Sequence, residues 1–148
     1  MPRSCSIARA LEVVGERWAL LVVREVALGV RRFEDIRLAT GAPRAVLSAR
    51  LRDLVAAEVL HTTPYREPGS RVRLEYRLTE AGRALQPVLT ALMDWGDRHV
   101  HRSDRYGGGC PSMVVRHVDC GAVVHAELVC KHGHQVRSAR ELVADPGA

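Results

Sequence analysis

No stretch of this 148-residue chain approaches the ~18 consecutive apolar residues of a membrane-spanning helix. Its N-terminus has no continuous apolar signal segment either, so the expected location is the cytoplasm. Signatures of catalysis are missing too: there is no nucleophile elbow, no phosphate-binding glycine loop and no dinucleotide fingerprint. His125-Ala126-Glu127 has the H-x-E spacing of zinc deaminases, but Cys130 lies too near and no second cysteine follows it to make the required partner motif. An enzyme is not expected. Lysine is nearly absent, Lys131 being the one lysine among 22 basic residues. Arginine abundance on its own can reflect genome composition, so the placement of charge carries more weight than its amount.

That placement is uneven. Residues 1–78 hold 14 Arg against 9 Asp plus Glu, a net +5, whereas residues 79–148 hold 8 basic against 8 acidic residues, a net of zero. The excess is the electrostatic footprint of a chain half that meets a polyanion. A hydrophobic content of 47% is enough to fill one domain, or one domain with a small appendage.

Inside the basic half, GAPRAVLSARLRDLVAAEV (Gly41 to Val59) reads as a single amphipathic helix. Leu47, Leu51, Leu54 and Val55 form its apolar stripe. Ala45, Ser48, Ala49 and Arg52 lie opposite, with Arg44 at the start and Arg50 on the flank. Pro43 suits the first turn, where its missing N–H costs nothing. Upstream, RRFEDIRLAT is a short helical segment with Phe33 and Ile36 pointing one way, and Thr40-Gly41-Ala42 is short enough for a helix-turn-helix. Downstream, Leu60 to Pro64 reads as a strand, Arg66 to Ser70 as turn chemistry, and Val72 to Leu78 as a half-buried strand by its period of two.

Together these make a winged helix-turn-helix. Its helix suits the major groove of double-stranded DNA, and its wing suits the neighbouring backbone. Arg44, Ser48 and Arg52 are the candidates for base or groove contact; Arg32, Arg50, Arg66 and Arg71 are those for phosphate.

Several motifs in order, a cysteine heading the first helix, G-x-x-W, R-R-F, L-x-x-R-L, Y-x-L-T-x-x-G and W-G, are carried by CSIARALEVVGERWALLVVREVALGVRRFEDIR, LSARLRDLVAAEVL and EYRLTEAGRALQPVLTALMDWG. In these the chain resembles the HxlR-type, MarR-like winged-helix transcriptional regulators of bacteria. The likeness spans roughly residues 5 to 100. It implies a homodimer on a palindromic operator, released from DNA by an oxidant or an inducer. It also implies a redox role for Cys5, whose place at a helix start beside Arg3 and Arg9 would favour a thiolate. The plainer reading of Cys5 is a packing residue. A small apolar effector, bound between the dimer helices and the DNA-binding lobe, is the alternative to redox sensing.

The flanking helices are legible by spacing. The first runs from Ser6, as its cap, to Val14, with Ile7, Leu11 and Val14 on one face. The second runs from Arg17 to Leu28, with Trp18, Leu21, Val22 and Val26 facing the core and Gly29 ending it. After the wing, Thr79 caps a helix whose apolar set Leu85, Val88, Leu89, Leu92 and Trp95 continues to about His101, kinked or broken at Pro87. Its surplus apolar face is expected to meet a second copy, or else to fold back on its own chain. A rival to the regulator reading is a protein-interaction or architectural module that binds DNA weakly.

Arg102 to Ser112 reads as a linker. Beyond it the chain is rich in valine, cysteine and histidine. His117-x-x-Cys120-Gly121 looks like half of a zinc-ribbon knuckle, and Cys130-Lys-His-Gly-His134 like the other half, with glycine at 133 where the ribbon pattern has a cysteine. The expected structural zinc ligands are His117, Cys120, Cys130 and His134, with His132 the alternative fourth. A β-hairpin with incidental histidines and a Cys120–Cys130 disulfide are the other readings. The expected class is α+β: residues 1–101 a mainly helical winged helix-turn-helix with a two-stranded wing and dimerising terminal helices, 102–112 a linker, and 113–148 a small hairpin or zinc-ribbon-like appendage.

Overall fold

The computed structural model describes residues 5–100 and 113–144. The linker expected at 102–112 lies outside the described residues. The chain divides into two compact units, 1–86 and 87–148.

The first unit runs α1 (Ser6–Val14), α2 (Arg17–Ala27), α3 (Phe33–Thr40), α4 (Arg44–Ala56), β1 (Leu60–Tyr65), β2 (Arg73–Leu78) and α5 (Glu80–Arg83). Its core is Val22, Val23 and Val26 of α2, Ile36 of α3, Leu47, Leu51 and Leu54 of α4, and Val59 and Leu60 beyond. The stripe expected on α4 is thus the buried one, with Val55 half-buried at its margin.

The face of α2 is turned by about one position from expectation. Ala19, Val22, Val23 and Val26 are buried, while Trp18 and Leu21 are half-buried. Ala19 lets the neighbouring helices approach closely, where an indole would hold them apart. Trp18 lies instead under the Arg17 guanidinium, 4.6 Å from its ring centroid, a cation–π contact at the surface. Glu25 is also buried, and its carboxylate accepts from Arg24 at 2.5 and 2.8 Å, so its charge is compensated.

Two helix ends differ from the sequence reading. α4 begins at Arg44, with Pro43 as its extended N-cap, because Gly41 adopts a left-handed φ of 72° and closes α3. It stops at Ala56 rather than Val59. Glu58 takes a positive φ of 57°, its N–H donates to Val55 O at 3.0 Å, and the Val59 N–H donates to Leu54 O at 2.9 Å. That is a Schellman motif, sealed by burial of Leu54 and Val59. α2 ends the same way, with Gly29 left-handed at φ 91° and the Val30 N–H donating to Glu25 O at 3.0 Å. At α1, Cys5 is the N-cap residue and Ser6 the first helical one, so Ser6 does not cap it.

β1 and β2 pair antiparallel, Leu60 opposite Leu78 and Tyr65 opposite Arg73. Arg32 adds a bridge to Glu75, and the Tyr76 N–H donates to Arg31 O at 2.8 Å, which ties the entry of α3 to the wing. The alternation expected over Val72 to Leu78 buries only its inner end. Val72 and Leu74 are exposed, and only Tyr76 and Leu78 on that face are partly covered. The outer half of this ribbon has solvent on both faces.

Thr79 caps α5 as expected, its hydroxyl oxygen accepting from the Gly82 N–H at 3.0 Å. The break expected at Pro87 falls just before it, at Ala84 and Leu85, and Pro87 sits in the first turn of α6 (Gln86–His99), where no intrahelical donor is needed. In the second unit, α6 ends at His99, two residues short of the expected His101. Arg116 bridges Val123, and β3 (Leu128–Val129) pairs antiparallel with β4 (Gln135–Val136). Asp94 of α6 holds this segment: its carboxylate accepts from the Ala126 N–H at 2.8 Å and lies 3.4 Å from His125 Nδ1. Among the described residues, no helix is long and apolar enough to cross a membrane.

The Asp94 clamp has a pH signature. The Ala126 N–H bond, with His125 adding to it, holds the Asp94 carboxyl below its ordinary range. A depressed carboxylate contributes stability that is complete above its unfolded value of ~4 and is lost as pH falls through the lower folded value. The Ala126 amide, corrected for intrinsic exchange, should stay equally protected from about pH 5 to 8 and open on acidification below ~4. In Asp94→Ala it should be open at every pH.

Candidate nucleic-acid interface

α3 and α4 are joined by a turn only three residues long, Gly41 to Pro43. Thr40 pins it: its hydroxyl donates to Ile36 O at 2.7 Å and accepts from the Ala42 N–H at 3.2 Å. Ala42 is buried in the angle, and with Leu47, Leu51 and Leu54 held in the core the rotation of α4 is fixed. Arg44, Ser48 and Arg52, each four residues apart, therefore stand together on its exposed side, with the small Ala45 beside them. Such a face fits closely against a groove floor and carries donors that match guanine edges or phosphate oxygens.

The electrostatics of the seven expected contact residues are unequal. Arg44 pairs with Glu34 of α3 and lies 5.3 Å over the Phe33 ring. Glu34 also accepts from Arg37 at 2.9 Å, and chiefly this bond, with Arg44 behind it, keeps its carboxyl below the ordinary range. Arg50 is largely covered and pairs with Asp53 at 3.1 Å, which makes it a flank residue. Arg32 pairs with Glu67 of the wing loop at 2.5 Å and stacks 4.6 Å from the Tyr65 ring; the Glu67 bond raises its already high pKa further. Arg66 donates to Ser70 O at 3.0 Å and closes the wing tip. Among the described residues, Arg52 and Arg71 are exposed and engage in no ion pair.

Sequence reasoning missed the acids that hold the arginines, Glu34 and Glu67. The i,i+3 spacing of Glu34 and Arg37 was a signal for the first; nothing local marks the second. It also passed over Arg73, exposed on the wing.

Away from this face, the same unit holds an open cleft of about 840 Å³ lined by residues including Val26, His61, Thr63, Arg77 and Leu78. Cys5 is an exposed free thiol, so it fills no core of its own unit. Arg9, expected beside it, donates instead to Ser6 Oγ at 3.1 Å, and Arg3 lies outside the described residues. In the second unit the structure joins His117 with Cys120 and Cys130 with His134, but it brings no three of these donors into one cluster. Cys120 and Cys130 are free, not bridged.

The sequence model of the HxlR-like helix-turn-helix family matches residues 13–104. The chain is 42% identical over 142 residues to the HTH-type transcriptional regulator Rv3095 of Mycobacterium tuberculosis, covering 96% of this chain and 85% of that protein. Among solved structures, that of PA1607, a candidate transcription factor, superposes with a TM-score of 0.81 at 30% identity, over 99% of this chain and 97% of that one. The redox regulator HypR in its oxidized form gives a TM-score of 0.58 at 28% identity, over 67% of this chain and 99% of that one. The fold, the charge of the exposed α4 face and these relationships agree: the chain belongs to the HxlR-like helix-turn-helix family, and it is a transcriptional regulator of the helix-turn-helix type.

Proposed function

We propose that the chain acts as a homodimer on a palindromic operator, with α4 in the major groove and the β1–β2 wing along the flanking backbone. The observation that carries this is the exposed Arg44-Ser48-Arg52 row on α4. A purely structural winged helix has no need of it. Dimerisation is supported by apolar rows left uncovered in a single chain: Ile7 and Leu11 on α1 are 70% and 56% exposed, and Val88, Leu92 and Trp95 on α6 are 45%, 49% and 59% exposed. Spaced by four and three residues, the α6 set is one continuous stripe, of the kind a second copy covers. Two copies of α4 related by a two-fold axis would address grooves one turn apart, ~34 Å, hence the palindrome.

Selection from random duplex DNA at two salt concentrations tests this. The expected result is a palindromic consensus whose affinity falls steeply with salt. No consensus at either concentration would favour the interaction-module reading instead.

The signal in this proposal is oxidation of Cys5. Its exposed thiol at the head of α1 borders the apolar row of that helix, so a sulfenic acid or disulfide there would disturb the dimer contact. HypR, one of the similar structures, is a redox regulator. Cys5→Ser should bind operator as the wild type does and keep its DNA when a thiol oxidant releases the wild type. A variant that is still released would shift the signal to a small molecule.

A further inference from the structure

We infer that His117, Cys120, Cys130 and His134 close on one zinc ion per chain and that this ion is what holds residues 113–144 in shape. The inference concerns the second unit and is independent of how the first one reads DNA.

Three observations carry it. The first is the geometry of each pair. His117 Nδ1 lies 3.5 Å from Cys120 Sγ, and His134 Nδ1 lies 3.5 Å from Cys130 Sγ. Zinc–sulfur and zinc–nitrogen bonds of ~2.3 and ~2.0–2.1 Å at a tetrahedral angle give an S···N edge of ~3.6 Å. Each pair is therefore spaced as one edge of a tetrahedral site.

The second is that the two pairs are built alike. At the first, the Gly121 N–H donates to His117 O and the His117 N–H to Ala122 O, both at 2.9 Å. At the second, the Gly133 N–H donates to Cys130 O and the Cys130 N–H to His134 O, both at 2.9 Å. Gly121 and Gly133 are left-handed, with φ of 67° and 83°. A tight turn with a left-handed glycine thus positions each Cys–His pair, although the spacings differ by one residue.

The third is the want of a core or a disulfide within the segment, beside the Asp94 bonds that tie His125 and Ala126 to α6. Among residues 113–144 no side chain is buried. Val118 and Val143 are 91% and 86% exposed, and both paired strands are two residues long. Segments this small usually need a disulfide, a metal or another chain to stay folded. The two cysteines are free, and all four donors are exposed and reachable.

In the structure the donors stand as two pairs, not as one cluster. Closing them requires the Arg116–Val123 turn and the β3–β4 hairpin to approach. Cys2His2 is a usual donor set for structural zinc.

The test is metal stoichiometry and cobalt substitution on the full-length protein. Native mass spectrometry should find one zinc per chain, and cobalt(II) should give tetrahedral visible bands with thiolate charge transfer. Addition of zinc should raise amide protection across residues 113–144. His117→Ala, Cys120→Ser, Cys130→Ser and His134→Ala should each weaken metal binding on the order of 100-fold or more, each removing one of four ligands, while His132→Ala should leave it unchanged. Absence of metal, octahedral cobalt spectra, or two ions per chain with one pair on each would overturn the shared site. So would a Cys120→Ser protein that binds as the wild type does, a result that does not depend on the metal-free variants keeping their fold.

Discussion

Replacing Gly82 by alanine should cost the first unit about 3 kcal/mol or somewhat more, the upper end of what overpacking does. A Cβ built at this position would lie 2.2 Å from Val59 O and 3.0 Å from Leu78 Cδ2. The leucine methyl can swing aside; the carbonyl oxygen cannot. Val59 O is already the acceptor for the Thr79 N–H at 3.1 Å, and the Gly82 N–H supplies the bond that caps α5 at Thr79. Moving either backbone therefore opens the seam between the start of β1 and the start of α5. This gives a physical reason for glycine in the Y-x-L-T-x-x-G segment: the threonine caps and bridges, and the glycine lets the two backbones meet. Urea denaturation followed by tryptophan fluorescence should show a lower midpoint with an unchanged slope. A loss under about 1 kcal/mol would mean that the close approach relaxes in solution, since Gly-to-Ala itself gains only ~0.4–1 kcal/mol from the unfolded chain.

How far such features can be read in the sequence depends on how local their causes are. α1, the helix-turn-helix order and the wing pairing are legible because short-range periodicity and turn residues set them. Gly29 and Gly41 announce their helix ends, as residues that accept a left-handed φ at no cost. The C-terminus of α4 does not, because Glu58 occupies the left-handed position and the motif is closed by Leu54 and Val59, which read as more helix. The wing is less buried than its alternation predicts for a related reason: a period of two says which residues share a face, not whether anything lies over it. Val72 and Leu74 share a face with Tyr76 and are left in solvent.

The candidate site divides in the same way. Arg44, Ser48 and Arg52 follow from a spacing of four on a helix whose opposite stripe is leucine. Their different electrostatic states do not follow, because Glu34 and Glu67 reach Arg44 and Arg32 across 10 and 35 residues of chain. Likewise each Cys–His pair of the second unit is a local feature, three or four residues long, and visible in the sequence. Whether the pairs meet is a tertiary matter that spacing alone does not decide.

These unequal states single out Arg52. When a phosphate or a guanine edge arrives, Arg44 must share or give up Glu34, Arg50 its Asp53 and Arg32 its Glu67, so each contributes a difference between two pairings. Arg52 is exposed on α4 and, among the described residues, has no ion pair to exchange. Arg52→Ala should therefore leave thermal stability within about 0.5 kcal/mol, yet cost operator binding ~1–3 kcal/mol per half-site, or roughly 5- to 150-fold, and relax the base choice opposite it. Arg71→Ala on the wing is the contrast. It should weaken all duplexes alike and reduce the dependence of log Kd on log salt by about one phosphate's worth. Affinities for consensus and scrambled duplexes across a salt series separate the two. If Arg52→Ala lowers both affinities equally, Arg52 contacts phosphate, and the reading of bases falls to Arg44 and Ser48 on the same face.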